Sequence, residues 1–190
     1  MINNHKNKRF ADLAVLGEVV FHSSDLAILW GIKSKNTLHQ TLSRYVAAGL
    51  LKRIYKGFYA LTDPADIDPY LLGIKSLHTY AYVSCESVLS KHGAINQSPQ
   101  EITIVSNVSR RWKIAAKRFR SRKLADQYLY NNAGIELING VPTASLERAI
   151  ADMLYFNPHA YFDAHGSTLI NWVKVKDVAR KIGYNIRIPS

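Results

Sequence analysis

Cysteine is almost missing from this chain. Cys85 is the only one in 190 residues, so no disulfide can form within a chain, and the composition suits a reducing compartment. Long apolar runs are missing too. The stretch 13–21 is broken by Gly17 and Glu18 and is too short for a membrane span, and no long apolar run follows the polar, basic residues 1–9. These absences point to the cytoplasm and away from a membrane partner. Acidic residues are scarce, 14 against 25 Lys and Arg, for a formal net charge of +11. Such an excess favours anionic partners, nucleic acid before a membrane surface, although a basic exterior can also serve only solubility. Apolar side chains are not in short supply. At 47% hydrophobic the chain can build one generous domain or two small ones, and disorder is excluded.

The parts of an enzyme are missing as well. There is no Gly-x-Ser-x-Gly elbow, no phosphate-binding loop and no dinucleotide fingerprint. The second half shows no carboxylate cluster of the kind a metal-dependent nuclease needs. His78, Cys85 and His92 are evenly spaced, but a predicted break near Val83-Ser84 spoils a single helical face and no fourth ligand lies nearby. His159, Asp163 and His165 form a small polar cluster without a counterpart elsewhere. Ser84, Ser87 and His92 read as helix caps and surface groups. Glu147, Arg148 and Asp152 share one helical side, where an internal salt bridge is the simpler role. The expectation is a protein without catalytic residues, metal or cofactor.

What is present is a pattern. Apolar positions at Phe10, Leu13, Ala14, Leu16, Val19 and Val20 predict a helix over 8–21. Ser23-Ser24-Asp25 suits the start of a second, short helix over 25–30, with serine to cap it and aspartate at its positive end. Gly31 ends it. Ser34 opens a third helix to about residue 48, with Leu38, Leu42, Tyr45 and Val46 on one side and Lys35, Asn36, His39, Gln40, Ser43 and Arg44 mostly on the other. Two helices joined by a short glycine-containing turn are the helix-turn-helix signature. Residues 50–54 and 58–61 then alternate as two strands around Tyr55-Lys56-Gly57. A hairpin directly after the third helix is a wing, so residues 1–62 predict a winged helix-turn-helix.

The cations gather where such a domain meets DNA. Within 1–62 stand nine basic residues and three acids, Asp12, Glu18 and Asp25. Lys33 and Lys35 flank Ser34 at the start of the third helix, whose free backbone N–H groups attract phosphate. Asn36 and Gln40 can each pair with an adenine edge, while His39 and Arg44 reach guanine or phosphate. Lys52, Arg53 and Lys56 on the hairpin would orient without reading sequence. The competing view of each is an ordinary solvated surface residue.

Residues 63–69 are acidic and contain two prolines, which marks a linker. Beyond it, residues 70–190 predict a mixed α+β domain. Helices are expected over 70–80, from Ser84 or Cys85 to Lys91, and over 145–156, with less regular ones over 167–173 and 176–182. Strands are expected over 101–106, 117–124, 135–138 and 141–143, the last two joined at Asn139-Gly140. The same half holds a second basic run, Arg110, Arg111, Lys113, Lys117, Arg118, Arg120, Arg122 and Lys123, with Trp112 and Phe119 among them. Three roles compete for it: a second DNA contact, a dock for an acidic or RNA-handling protein, or a strand edge protected by charge.

Several local phrases resemble the AbiEi-type antitoxin and regulator family of type IV toxin–antitoxin systems. Ser43-Arg44-Tyr45, Gly49-Leu50-Leu51-Lys52-Arg53 and Lys56-Gly57-Phe58-Tyr59 look like its recognition helix and wing. Tyr82-Val83-Ser84-Cys85-Glu86-Ser87-Val88-Leu89 with His92-Gly93, Gln97-Ser98-Pro99 before the strand at 101–105, and residues 141–152 look like parts of its second domain. The likeness spans roughly 23–156. It implies a repressor that binds double-stranded operator DNA, often inverted repeats, autoregulates its operon and counteracts a toxin of nucleotidyltransferase type. The alternative is a plain winged-helix repressor whose second domain dimerises or senses a ligand.

Overall fold

A computed structural model of the chain describes residues 2–162, 168 and 170–188, with the backbone alone for 2–7 and 14. The chain divides into two compact units, Met1–Asp68 and Pro69–Ser190. The break falls inside the acidic stretch 63–69. Each unit combines helices with a sheet, so the class is α+β. No described helix is long and apolar enough to cross a membrane.

The first unit runs α1 (Ile2–Leu16), β1 (Val20–His22), α2 (Ser23–Leu29), α3 (Lys35–Ala47), β2 (Lys52–Tyr55) and β3 (Phe58–Ala60). The first helix begins and ends earlier than its periodicity predicts, at Ile2–Leu16 instead of 8–21. It stops at Leu16, Gly17 turns with φ 64, and Val20, Phe21 and His22 pair antiparallel with Ala60, Tyr59 and Phe58. β-branched and aromatic side chains suit a half-buried pleated surface, and here pairing with β3 overrides the helical spacing. The hairpin is therefore part of a three-stranded sheet, β1-β3-β2. The two serine starts also differ. Ser34 caps α3, its Oγ accepting from the Thr37 N–H at 3.3 Å. The cap of α2 is His22, with no side-chain bond, because Ser24 Oγ donates to Asp25 at 3.2 Å and the Ser23 N–H donates to the Gly57 carbonyl at 2.8 Å.

One cluster holds this unit together: Leu13, Phe21, Leu26, Leu42, Tyr45, Leu51 and Tyr59 are buried, with Phe10, Leu29, Trp30 and Leu38 packed against them. Every element except β2 contributes at least one member, with Leu51 standing just before that strand, and each buried Leu or Phe contributes roughly 1.5–3 kcal/mol. Trp30 joins α1 to α3, donating from its indole N–H to the Arg9 carbonyl at 3.2 Å and meeting Tyr45 edge-on at 5.5 Å.

The second unit runs α4 (Pro69–Lys75), β4 (Ala81–Val83), α5 (Glu86–Lys91), β5 (Ile102–Ser106), β6 (Arg110–Ile114), β7 (Lys117–Lys123), α6 (Asp126–Leu129), β8 (Ile135–Ile138), β9 (Val141–Ala144), α7 (Leu146–Phe156) and α8 (Trp172–Ile182). Its six-stranded sheet has the order β6-β7-β5-β4-β9-β8. Pairs β5–β7 and β4–β9 are parallel and the others antiparallel. The turn between β8 and β9 is the expected Asn139-Gly140, both at positive φ (51 and 78). The predicted helix at 70–80 ends at Lys75, and Tyr80 leads into β4, a central strand the sequence does not announce. Three residues are too few for alternation to register. β6 was likewise unforeseen. Of the helix predicted over 167–173, residues 167 and 169 lie outside the described residues, and so do Asp163 and His165.

Helices cover both faces of this sheet. On one face α4 packs so closely that a β-carbon at Gly73 would lie 2.7 Å from the Phe119 ring and 2.8 Å from Ile104. On the other lie α5 and α7, reached by Tyr82 and Ser84.

Candidate nucleic-acid interface

α3 has one buried side and one open side. Leu42 and Tyr45 are buried, Leu38 is half-buried, and Lys35, Asn36, His39, Gln40, Ser43 and Arg44 are all exposed. At 100° per residue, Asn36, Gln40 and Ser43 form the middle of the open face. Lys35 and His39 lie on one flank and Arg44 on the other. Lys33 and Ser34 are exposed just before the helix, and Lys52, Arg53 and Lys56 are exposed on the hairpin.

The structure gathers part of this set into one cleft. A groove of about 550 Å³ runs between α2, the start of α3 and the hairpin, and Lys33, Lys35, His39, Arg53 and Lys56 stand along it. Its walls include Ile28, Ile32, Leu38, Leu42 and Tyr59. Lys52 and Arg44 are not among its walls. Lys52 pairs with Ala60 and Arg53 with Tyr59, so consecutive side chains point to opposite faces of the strand and only Arg53 faces α3. Asn36 and Gln40 project from the open face beyond the groove. Two parts of the arrangement have no sequence signal of their own. The Ser23 N–H bond to Gly57 fixes the hairpin turn against α2, and Gly57, at φ 85, leaves only 3.3 Å between an added β-carbon and Ser23 Oγ. Ile28, 82% exposed, gives the groove an apolar edge.

The second basic run does not form one surface. β6 and β7 are an antiparallel hairpin in which Arg111 faces Arg120, Trp112 faces Phe119 and Lys113 faces Arg118. Alternation puts Arg111, Lys113, Arg118, Arg120 and Arg122 on one face and Arg110, Lys117 and Lys123 on the other. On the first face, Arg111 Nε pairs with Glu101 at 3.0 Å, and Arg122 pairs with Glu86 while lying 5.3 Å above the Phe156 ring. On the second, Arg110 lies 4.5 Å above the Trp112 ring, which stacks on Phe119 at 5.3 Å. Both aromatics are thus part of the packing beneath α4, and Phe119 is fully buried.

The residues weighed as catalytic candidates take structural places. Ser84 and Ser87 were expected to be caps or surface groups; both are buried. Ser84 Oγ donates to Asp152 at 2.7 Å, and Ser87 Oγ accepts from the Thr103 N–H at 2.8 Å. The cap of α5 is Cys85, without a side-chain bond. Arg148 and Asp152 form the expected i,i+4 pair at 3.0 Å, but both are 0% exposed. Tyr82 and Tyr184 each donate to Asp152, at 3.1 and 2.7 Å, and Arg148 donates to the Tyr82 hydroxyl and to the carbonyls of Tyr128, Asn131 and Ala133. Burial, and then the adjacent Asp152 carboxylate, hold both phenols far above the ordinary tyrosine value. Glu147, half-buried, stands outside this network. Among the described residues, no three His, Cys, Asp or Glu side chains gather as metal ligands would.

No family model matches the chain, and no curated protein matches it. Among solved structures, it is similar to the RV2827C protein from Mycobacterium tuberculosis, with a TM-score of 0.54 and 14% identity over 93% of this chain and 71% of that one. That likeness is one of fold.

Proposed function

We propose that this chain is a non-enzymatic, cytoplasmic DNA-binding repressor whose first unit is a winged helix-turn-helix, and that it is also the antitoxin of a type IV toxin–antitoxin pair. The observation carrying the first part is the groove between α3 and the hairpin. Cations from the helix start and from the wing, Lys33, Lys35, Arg53 and Lys56, line the same groove, beside an α3 face whose centre is Asn36 and Gln40. In such a domain the helix enters the major groove, Asn36 and Gln40 read adenine edges, and the lysines neutralise phosphate on either side. Arg44 and Lys52, on other faces, would touch backbone farther out. The antitoxin role, with a nucleotidyltransferase-type toxin as partner, rests on the resemblance of the local phrases quoted above.

Titration of the full chain against its upstream DNA tests the first part. Asn36→Ala or Gln40→Ala should relax base preference by about 1–3 kcal/mol per lost bidentate pair. Lys56→Ala should instead weaken binding to every duplex alike and reduce the salt slope by about 1. Wild-type behaviour from all three variants would mean that this face does not meet DNA. Co-expression with the neighbouring reading frame tests the second part. Growth arrest by that frame, relieved by the full chain and equally by its Asn36→Ala/Gln40→Ala variant, is the expected result. A well-expressed neighbour that arrests nothing removes the antitoxin role.

A further inference from the structure

The β6–β7 hairpin concentrates charge in a way the first unit's role does not explain. Eight cations stand between Arg110 and Lys123, and no acidic residue lies between Asn107 and Ala125. Residues 69–190 carry sixteen basic and eight acidic side chains, so the hairpin's eight cations equal that unit's whole positive excess. On the face shared by Arg111, Lys113, Arg118, Arg120 and Arg122, Arg111 is tied to Glu101 and Arg122 to Glu86. No described carboxylate pairs with Lys113, Arg118 or Arg120.

Edge protection does not account for this. A charge that guards a sheet edge belongs on the edge strand, yet β6, the edge, carries Arg110, Arg111 and Lys113, while the inner strand β7 carries Lys117, Arg118, Arg120, Arg122 and Lys123. An acidic protein is a poor match as well. Protein interfaces centre on apolar anchors and are depleted in charge at the core, and no large apolar side chain of this hairpin is exposed. Interfaces with nucleic acid are the polar, strongly cationic kind. The spacing agrees: side chains two apart on one strand repeat at about 6.6–6.8 Å, near the separation of successive phosphates along a nucleic-acid strand.

We propose that this face of the β6–β7 hairpin binds the sugar–phosphate backbone of nucleic acid, through Lys113, Arg118 and Arg120, independently of the contacts made by the first unit. Arg122, held by Glu86, bounds the site at one end, and Arg111, held by Glu101, stands across from Arg120. The contact is to backbone: the face carries no Asn or Gln to pair with an adenine edge, and its cations, spaced along a strand like successive phosphates, are assigned to the backbone, which carries no base preference.

The test uses the full chain, with an unrelated 25-base-pair DNA duplex and an RNA duplex of about the same length as probes, each titrated over a range of salt. Three variants are compared: Lys113→Gln/Arg118→Gln/Arg120→Gln, a charge-keeping Arg118→Lys/Arg120→Lys control, and Lys33→Ala/Lys35→Ala/Lys56→Ala in the first unit. The glutamine variant should lower the slope of log affinity against log salt by about 2–3 on duplex DNA, and the lysine control should keep it. The first-unit variant should lower it separately, and the two losses should add. A wild-type slope from the glutamine variant overturns the proposal, as does a lysine control that loses as much as the glutamine variant. So does a polyglutamate of matched charge that displaces the duplex at equal concentration, which would assign the face to acidic protein. A loss in the glutamine variant with none in the first-unit variant would uphold this contact and count against the wing. The DNA and RNA arms then show which duplex the face prefers.

Discussion

Single residues in this chain are constrained most where backbone and side chain approach closely. Gly73 is the clearest case. Alanine there would add about 1 kcal/mol of helix propensity, but its β-carbon would lie 2.7 Å from the Phe119 ring. That ring cannot retreat, since it is fully buried and stacked on Trp112. Overpacking of this kind costs about 1–3 kcal/mol, so Gly73→Ala should lower the urea midpoint in equilibrium unfolding. Cys85 is constrained in another way. It holds φ 53 and ψ −134 at the turn from β4 into α5, a conformation side chains rarely adopt. Burial pushes its thiol well above the usual value. Since the thiolate is the reactive form, Cys85 should resist a disulfide reagent such as Ellman's in the native protein at neutral pH and react fully in guanidinium. Neither constraint is legible in the sequence. Gly73 sits in a helical pattern like any tolerated glycine, and a lone Cys85 announces only that disulfides are absent.

At the scale of elements, what could be read depended on length and on repetition. α3 and α7 show their periods over many residues, and the sequence places both within a residue or two, the first with its Ser34 cap. The Asn139-Gly140 turn is equally plain because its chemistry is local. β1, β4 and β6 escape because three to five residues carry little periodicity and their partners lie far along the chain. The cationic residues of α3 and the β2–β3 hairpin could be named, but not that Lys52 and Arg53 part company across β2. On α7 the internal salt bridge could be anticipated, though not its burial, which comes from Tyr82, Tyr128 and Tyr184 closing over it from distant segments. That burial sets its energetics. Arg148→Met should cost about 3–5 kcal/mol in urea unfolding, because the Asp152 charge would stay buried without its partner. Replacing both, as Arg148→Met/Asp152→Leu, should recover a large part of the loss, since the desolvation of two ions disappears with them.

For the whole molecule, the same network dictates a response to pH. Tyr82 and Tyr184 keep their protons in the folded state at pH values where the ordinary phenol, at 10.0, would lose its own. Their contribution is complete below that value. Above it the unfolded chain releases protons that the folded chain retains, so stability falls as pH rises. Urea midpoints should therefore decline above about pH 10, and Tyr184→Phe should make the decline shallower. A slope unchanged by that substitution would place the alkaline sensitivity elsewhere. Charge is distributed as unevenly as stability: eight of the 25 cations crowd the β6–β7 hairpin and four line the groove between α3 and the β2–β3 hairpin, while the acidic stretch before Pro69 offsets part of the positive excess.

The strand order of the second unit has a further consequence, in time. In the first unit, β2 and β3 meet across a two-residue turn and β1 lies within the same short segment. In the second, β4 must wait for β9, and Tyr82 for Asp152, 70 residues farther on; Asp152 in turn waits for Tyr184, another 32 residues along. Local pairings form early and distant parallel ones late. During synthesis the amino-terminal unit has all its parts while the centre of the larger sheet still lacks a neighbour. Amide protection should therefore arise first in the smaller unit, and Asp152 lacks its Tyr184 partner until α8 has been made.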